Sequence, residues 1–156
     1  MGATSEHFSD TELQCRGGTG VRKDGMKDCG GCGVNDCTQA LVDALEAFRA
    51  VVGQPVTVDD AYRCPTHNRA VGGAQFSQHL LGQAADIRVV GMTAAQLEST
   101  ARQVPAIHGI GRADAQGYLH IDVRTDPEKW CYNKHGLQVV YYPATTGAES
   151  TNSVSA

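Results

Sequence analysis

The stretch that organises this chain is Phe76-Ser77-Gln78-His79-Leu80-Leu81-Gly82-Gln83-Ala84-Ala85-Asp86-Ile87-Arg88, read together with Tyr118-Leu119-His120-Ile121-Asp122-Val123. The two segments supply an imidazole, a carboxylate and, further along the chain, a second imidazole. Neutral imidazole nitrogens and carboxylate oxygens are good zinc ligands, and three protein ligands leave the fourth tetrahedral position for water. His79, Asp86 and His120 therefore predict a catalytic zinc site rather than a structural one.

Alternating polarity predicts that the ligands lie on two strands. In residues 85–90 a period of two puts Asp86 and Arg88 on one face, and in residues 118–123 it puts His120 on the polar face. Gly82 indicates a tight turn ahead of the first strand. Taken separately, a His and an Asp are more often a surface pair or a core histidine with a polar partner. A shared metal is favoured here because burying such groups without partners costs several kcal/mol.

Longer motifs around these residues resemble a known family. Ser77-x-His79-x-x-Gly82-x-Ala84-Ala85-Asp86 and His120-x-Asp122-Val123-Arg124 are similar to the motifs of the zinc D-Ala-D-Ala carboxypeptidases, peptidoglycan peptidases that share a metal core with the hedgehog amino-terminal domain and lysostaphin-type enzymes. The small phage and bacterial members also carry Tyr62-Arg63-Cys64-Pro65-x-His67-Asn68 and Val71-Gly72-Gly73. The resemblance spans about Phe8 to Tyr132.

The resemblance implies a zinc peptidase that hydrolyses peptide bonds in peptidoglycan stem peptides, as a carboxypeptidase or an endolysin-type endopeptidase. It implies that Arg63 and Ser77 bind substrate. An arginine beside the metal can hold a substrate carboxylate or stabilise the oxyanion that forms during hydrolysis. Tyr118, where hedgehog-like relatives carry a histidine, is a candidate hydrogen-bond donor to the oxyanion, although a packing role fits it equally.

The general base is less clear from the sequence, because several relatives carry an acid three residues before the last ligand and this chain has Gly117 there. Asp122 is predicted as the base since it shares a strand face with His120, and Asp114 and His108 are alternatives. Asp122 can instead orient His120 or pair with an arginine. The missing acid also favours a rival function, a non-catalytic metal-containing module that binds or recognises the cell wall.

Composition excludes several classes of function. The 156 residues carry a formal charge of −4 and show no basic stripe, so a nucleic-acid partner is not expected. No apolar run approaches the ~20 residues of a membrane span. Residues 1–7 lack the basic and apolar regions of a signal peptide. We expect a monomer that reaches the cell wall by another route, such as a phage-encoded enzyme released at lysis or carried on a virion.

Six cysteines divide unevenly, with Cys15, Cys29, Cys32 and Cys37 in a glycine-rich amino-terminal segment. Their spacing allows a second, structural zinc site, or alternatively two disulfides. Cys64 and Cys131 are separate from this group and lie near the expected active domain.

The remaining pattern predicts an α+β domain with a small, mostly antiparallel sheet and helices packed on one side. Residues 1–37 form a lead-in segment, 38–143 the zinc peptidase domain and 144–156 a disordered tail rich in small polar residues. The clearest helix begins near Thr38 and ends at Gly53, and a second runs from Thr93 to Gln103. Residues 128–132 are interpreted as a short turn.

Overall fold

The fold is described from a computed structural model, which covers residues 2–19, 25, 27–142 and 151–154. The helices are α1 (Asp10–Leu13), α2 (Gln39–Val52), α3 (Pro65–Ala70) and α4 (Ala94–Ala101), with a 3-10 turn at Gln78–Leu81. The strands are β1 (Thr57–Asp60), β2 (Ala84–Arg88), β3 (Gly109–Ala113), β4 (Tyr118–Asp122), β5 (Glu128–Tyr132), β6 (Gln138–Tyr142) and β7 (Thr151–Val154).

The strands form one sheet in the order β1-β2-β4-β3-β5-β6-β7. Its pairs are antiparallel except for β3 with β5, which run parallel. Helix α4 packs against β3, β4 and α2. The predicted α+β class, with a mostly antiparallel sheet, is therefore confirmed.

The two principal helices begin and end where their capping residues predict. Thr38 accepts a hydrogen bond from the backbone N–H of Leu41, and Gly53 closes α2 in the left-handed region at φ 71°. Thr93 and Gln96 form the capping box of α4. Helix α4 ends at Ala101, two residues before the predicted end.

The sheet has one apolar face and one polar face. Ile87, Ile110, Leu119 and Ile121 are fully or almost fully buried in the core. Because side chains alternate along a strand, Asp86 and His120 point to the opposite face. The lead-in segment is part of the same core, since Phe8, two residues before α1, and Leu13, the last residue of α1, are buried in it.

Two chain segments differ from the sequence-based interpretation or extend it. Residues 128–132 are strand β5, so the predicted turn is wrong; the charged Glu128 and Lys129 obscure a strand that is defined by its pairing with β3. In the tail predicted to be disordered, Thr151–Val154 pairs with β6 as β7, and its other residues lie outside the described part of the chain. Within the described residues, no helix is both long and apolar enough to cross a membrane.

Candidate metal centre

The three predicted zinc ligands converge on the polar face of the sheet. His79 comes from the 3-10 turn, Asp86 from β2 and His120 from β4. Asp86 and His120 are direct partners across the antiparallel β2–β4 pair. One ligand atom from each of the three residues lies within 4.8 Å of the others. The structure therefore brings together ligands that are separated by 41 positions along the chain.

Both imidazoles are held with one nitrogen directed at Asp86. Nδ1 of His79 lies 2.7 Å from the carbonyl oxygen of Ala61, and its Nε2 is 3.4 Å from Oδ1 of Asp86. Nε2 of His120 lies 2.8 Å from Oδ2 of Asp122, and its Nδ1 is 3.1 Å from the same Asp86 oxygen. A ring nitrogen that donates to an acceptor on one side leaves the other nitrogen free to bind a metal. This donor set fits zinc.

Burial and the neighbouring charges shift the pKa values of the ligands in opposite directions, and the charges dominate. His79 and His120 are 2% and 5% exposed. Burial alone would raise the pKa of Asp86, yet the two imidazoles hold it well below its usual value. Burial would lower the pKa of His120, but the carboxylates of Asp122 and Asp86 raise it to about 9. Without a metal, these carboxylates therefore favour the protonated form of His120, and a cation bound by the three ligands would displace that proton.

Asp122 lies behind the His120 ring and not in the groove. It is fully buried and accepts from His120, and Arg124 donates to both of its oxygens, Nε to Oδ1 at 2.8 Å and Nη2 to Oδ2 at 2.7 Å. Burial opposes ionisation, but these partners lower the pKa of Asp122. A Cβ at position 109 would lie 2.1 Å from this carboxylate, so Gly109 makes room for it. The contacts favour orientation of His120 over the predicted role as general base.

The alternative bases lie away from the metal ligands. Asp114 forms a two-point ion pair with Arg112, at 2.7 and 2.8 Å. Nδ1 of His108 lies 2.6 Å from the carbonyl oxygen of Arg124. Neither Asp114 nor His108 lines the groove.

A groove of about 790 Å³ opens over the ligands, and the predicted substrate-binding residues line it. Arg63 is almost buried, and it donates through Nε to Asp60 at 2.7 Å and through Nη1 to Asn68 at 3.0 Å. Oγ of Ser77 accepts from the backbone N–H of His79 at 3.3 Å, which helps to shape the 3-10 turn. Burial and the nearby carboxylate of Asp86 raise the pKa of Tyr118 to about 12, so its hydroxyl stays a donor.

Asp60 is a groove residue that the sequence reading did not single out. A bulge in β1 between Val58 and Asp60 shifts the register, so that Asp60 becomes the partner of Asp86 across the β1–β2 pair. Its Oδ2 accepts from Arg63, whereas its buried Oδ1 has no hydrogen-bond partner among the described residues. Two adjacent acidic residues in β1 were a signal, but only the bulge decides which one faces the ligands.

Strand β5 adds an aromatic wall that was also missed. Trp130 and Tyr132 line the groove, and the ring centroids of Trp130 and His120 are 5.0 Å apart. Gly111 lies between these two residues in the sheet, and a Cβ there would be 2.5 Å from the indole. The alternation of Trp130 with Tyr132 could have indicated a strand with an aromatic face.

The cysteine grouping predicted from the sequence needs one correction. Sulfur atoms of Cys15, Cys29, Cys32 and Cys64 lie within 4.8 Å of one another. Cys37 is not part of this group: it is buried in the core, and its sulfur lies 3.7 Å from the carbonyl oxygen of Leu13. The predicted set was wrong at Cys37 because proximity in sequence suggested the wrong fourth residue.

Comparison with known proteins agrees with this geometry. A search of curated proteins gives no significant match to the chain. The family model described as Peptidase M15 matches residues 6–122, which is well over half of the sequence and includes all three metal ligands. Peptidases of this family are zinc-dependent, as the donor set leads one to expect. The chain belongs to the peptidase M15 family, the family of the zinc D-Ala-D-Ala carboxypeptidases.

Proposed function

We propose that this protein is a zinc-dependent peptidase that hydrolyses a peptide bond in the stem peptides of peptidoglycan. The observation that carries the proposal is the set of His79, Asp86 and His120, whose ligand atoms converge at the floor of a groove lined by Arg63. Family membership supports the peptidase activity. The substrate class follows from the motif resemblance to peptidoglycan peptidases.

Zinc held by these three residues would polarise the peptide carbonyl. It would also lower the pKa of water to about 7, so that hydroxide is available as the nucleophile at neutral pH. Arg63 supplies positive charge where the oxyanion develops or where a terminal carboxylate binds. Its guanidinium is fixed by Asp60 and Asn68, so little conformational entropy is lost when substrate binds. Tyr118 can donate a hydrogen bond from the groove wall.

We assign to Asp60 the proton-accepting role that Asp122 is not placed to fill. The groove of the described chain is lined by two carboxylates, Asp60 and Asp86. Because Asp86 is a metal ligand, Asp60 is the one that is available as a base. Its free Oδ1 and its position opposite Asp86 put it on the ligand face of the sheet. The same side chain also anchors Arg63, so one residue would both position the cation and accept the proton.

A rival function is recognition of the cell wall without cleavage. Gly117 favours it, because it replaces the acid that several relatives carry and lies at φ 76° in the turn before β4. The groove and the metal ligands would then serve binding alone.

The test is digestion of purified peptidoglycan and of a synthetic stem pentapeptide by the zinc-loaded full chain, with products identified by mass spectrometry. We expect a peptide bond to be cut, and the product masses identify which one. His120→Ala should lower the rate at least about 10³-fold, because the metal supplies several kcal/mol of transition-state stabilisation. His7→Ala is the matched control, since His7 lies at the surface 2.9 Å from Glu46.

The outcomes separate the two functions. Full activity in a strong chelator, or in the His120→Ala variant, would exclude the zinc peptidase. Zinc-dependent binding to peptidoglycan without any new product would establish the recognition module.

A further inference from the structure

We propose that Cys15, Cys29, Cys32 and Cys64 bind a second zinc ion that has a structural role. This cluster lies outside the groove and does not depend on the proposed peptidase activity. It joins three separate parts of the chain: the segment after α1, the loop at residues 27–33 and the residue that caps α3. Four cysteine sulfurs in one place are the ligand set of closed, structural zinc sites.

The spacing of the sulfur atoms fits one tetrahedral ion. A tetrahedron with Zn–S bonds of ~2.3 Å has edges of about 3.8 Å. Sγ of Cys15 and Sγ of Cys29 are 3.9 Å apart, and all four sulfurs lie within 4.8 Å of one another. Two disulfides would need the sulfurs to separate into two bonded pairs, whereas here all four are free and lie within 4.8 Å of one another.

The backbone around the cluster is shaped for the sulfurs. Gly30, Gly31 and Gly33 have positive φ angles of 73°, 72° and 64°, so the loop turns tightly through Cys29 and Cys32. A Cβ on Gly17 would lie 2.0 Å from Sγ of Cys29, which leaves space for glycine alone.

Backbone donors reach two of the sulfurs. The N–H of Cys64 donates to Sγ of Cys15, and the N–H of His67 donates to Sγ of Cys64, each at 3.4 Å. Such donors stabilise the thiolate form that a metal requires and orient the ligands around it. Beside them, Nδ1 of His67 pairs with Asp28 at 3.0 Å and ties the loop to α3.

The position of Cys64 gives the ion a consequence for the groove. Cys64 directly follows Arg63, and the backbone N–H of Arg63 donates to the carbonyl oxygen of His79 at 3.1 Å. A metal on Cys64 would therefore fix the chain at the point where Arg63 enters the groove. It would also hold the lead-in segment against the rest of the domain.

The experiment measures metal content by mass spectrometry of the full chain, purified without added metal or chelator. We expect two zinc ions per chain. The variant with Cys29→Ser and Cys32→Ser should hold one, and the variant with His79→Ala and His120→Ala should also hold one. Cys131→Ser is the matched control, because Cys131 lies on β5 outside the cluster, and it should keep both.

A second measurement needs no variant and so does not depend on the folding of one. Titration of the wild-type chain with an organomercurial should release one zinc ion, because the reagent attacks thiolates and not imidazoles. Cobalt exchanged into the chain should show thiolate-to-cobalt charge-transfer absorption.

A third measurement compares two single variants at one ligand. Cys32→Ser should lose the second zinc ion and Cys32→His should keep it, since histidine is also a zinc ligand.

The results distinguish the two sites. One zinc per chain that is lost with His79 and His120, together with cysteines found as disulfides or as free thiols, overturns this inference and leaves the peptidase proposal standing. One zinc that is lost with Cys29 and Cys32 alone supports this inference and removes the peptidase proposal. Iron in place of zinc at the cysteines overturns the assignment of the ion.

Discussion

The imidazole–carboxylate site and the cysteine cluster are adjacent in the chain, since Arg63 lines the groove over the first and Cys64 belongs to the second. They are nevertheless formed by different kinds of structural element. The first takes Asp86 and His120 from paired central strands, and its imidazoles are almost wholly buried. The second takes its sulfurs from loops and a helix cap, and Cys32 is exposed. One site is held in place by the sheet, whereas the other is shaped by glycine turns.

The difference follows from what each site must do. Three ligands with a groove above them leave room for substrate, so the sheet and groups such as Asp122 must supply the rigidity. Four thiolates around the proposed second ion would close its coordination sphere, and the ion itself would then supply rigidity to the loops that carry them. Variants that change one site and leave the other intact test whether the sheet holds the first site rigid and the ion holds the second.

Among variants that keep both metal sites intact, the largest effect is expected at the junction between the sites, from Arg63→Ala. If Arg63 donates to the developing oxyanion as proposed, its removal should lower kcat/KM by roughly 10²- to 10³-fold. Arg63→Lys should recover only part of this loss, because lysine keeps the charge but not the planar two-point geometry. Steady-state kinetics with a stem peptide as substrate measure kcat/KM for both variants.

Metal analysis provides the control for this prediction. Both sites should keep their zinc in Arg63→Ala, and Arg49→Ala, on the last turn of α2, should leave the kinetics unchanged. An Arg63→Ala variant that keeps its activity but melts at a lower temperature would show that Arg63 has only a structural role.

A smaller effect is expected from two matched substitutions, Asp122→Asn and Asp60→Asn, which remove one negative charge behind the His120 ring or in the groove. Asp122→Asn should weaken zinc binding at the sheet site about 10- to 100-fold, the usual cost of losing a carboxylate partner of a ligand. Asp60→Asn should lower kcat and leave zinc affinity unchanged. Competition with a chelator measures the first, and steady-state kinetics the second.

The dependence of zinc affinity on pH distinguishes Asp122→Asn from Asp60→Asn. The carboxylates of Asp122 and Asp86 raise the pKa of His120 to about 9 in the zinc-free protein, although burial opposes them. Zinc must displace that proton, so its apparent affinity should fall about tenfold per pH unit as the pH drops below about 9. In Asp122→Asn the fall should begin at a lower pH. Loss of zinc affinity in Asp60→Asn with kcat intact would reverse the two assignments.

The sheet site could be predicted because its signals are local and periodic. The alternation around Asp86 and His120 identifies the strand faces, and the motif spacing identifies the ligands. Local patterns mark Asp60 and Trp130 only as strand residues, and their positions beside the ligands depend on pairing between strands that no local pattern contains. A bulge in β1 turns Asp60 toward the ligands, and the parallel pairing of β5 with β3 brings Trp130 beside His120 across Gly111.

The cysteine cluster shows the same limit in a loop region. Cys37 follows Cys32 closely in sequence, but it precedes α2 by two residues and points into the core beside Leu13. Cys64 lies much further along the chain and reaches the cluster because β1 returns toward the lead-in segment, where the N–H of Tyr62 donates to the carbonyl oxygen of Leu13 at 3.1 Å. The spacing of cysteines in the sequence therefore identifies candidate ligands, but contacts between distant parts of the chain determine which of them come together.

The smallest effect is expected from Trp130→Phe, which tests whether the aromatic wall belongs to the working part of the sheet site. Trp130 lines the groove, while its indole Nε1 is buried over Gly111. Phenylalanine keeps a ring where Trp130 now packs 5.0 Å from His120 and under Arg124. Phenylalanine offers the substrate a smaller ring, and the lost apolar contact is worth about 1 kcal/mol, so kcat/KM should fall about fivefold with zinc content unchanged. Trp130 is the single tryptophan of the chain, and its fluorescence should change when a stem peptide binds. Unchanged kinetics together with unchanged fluorescence would make Trp130 a packing residue and confine substrate recognition to the side of the groove that carries Arg63.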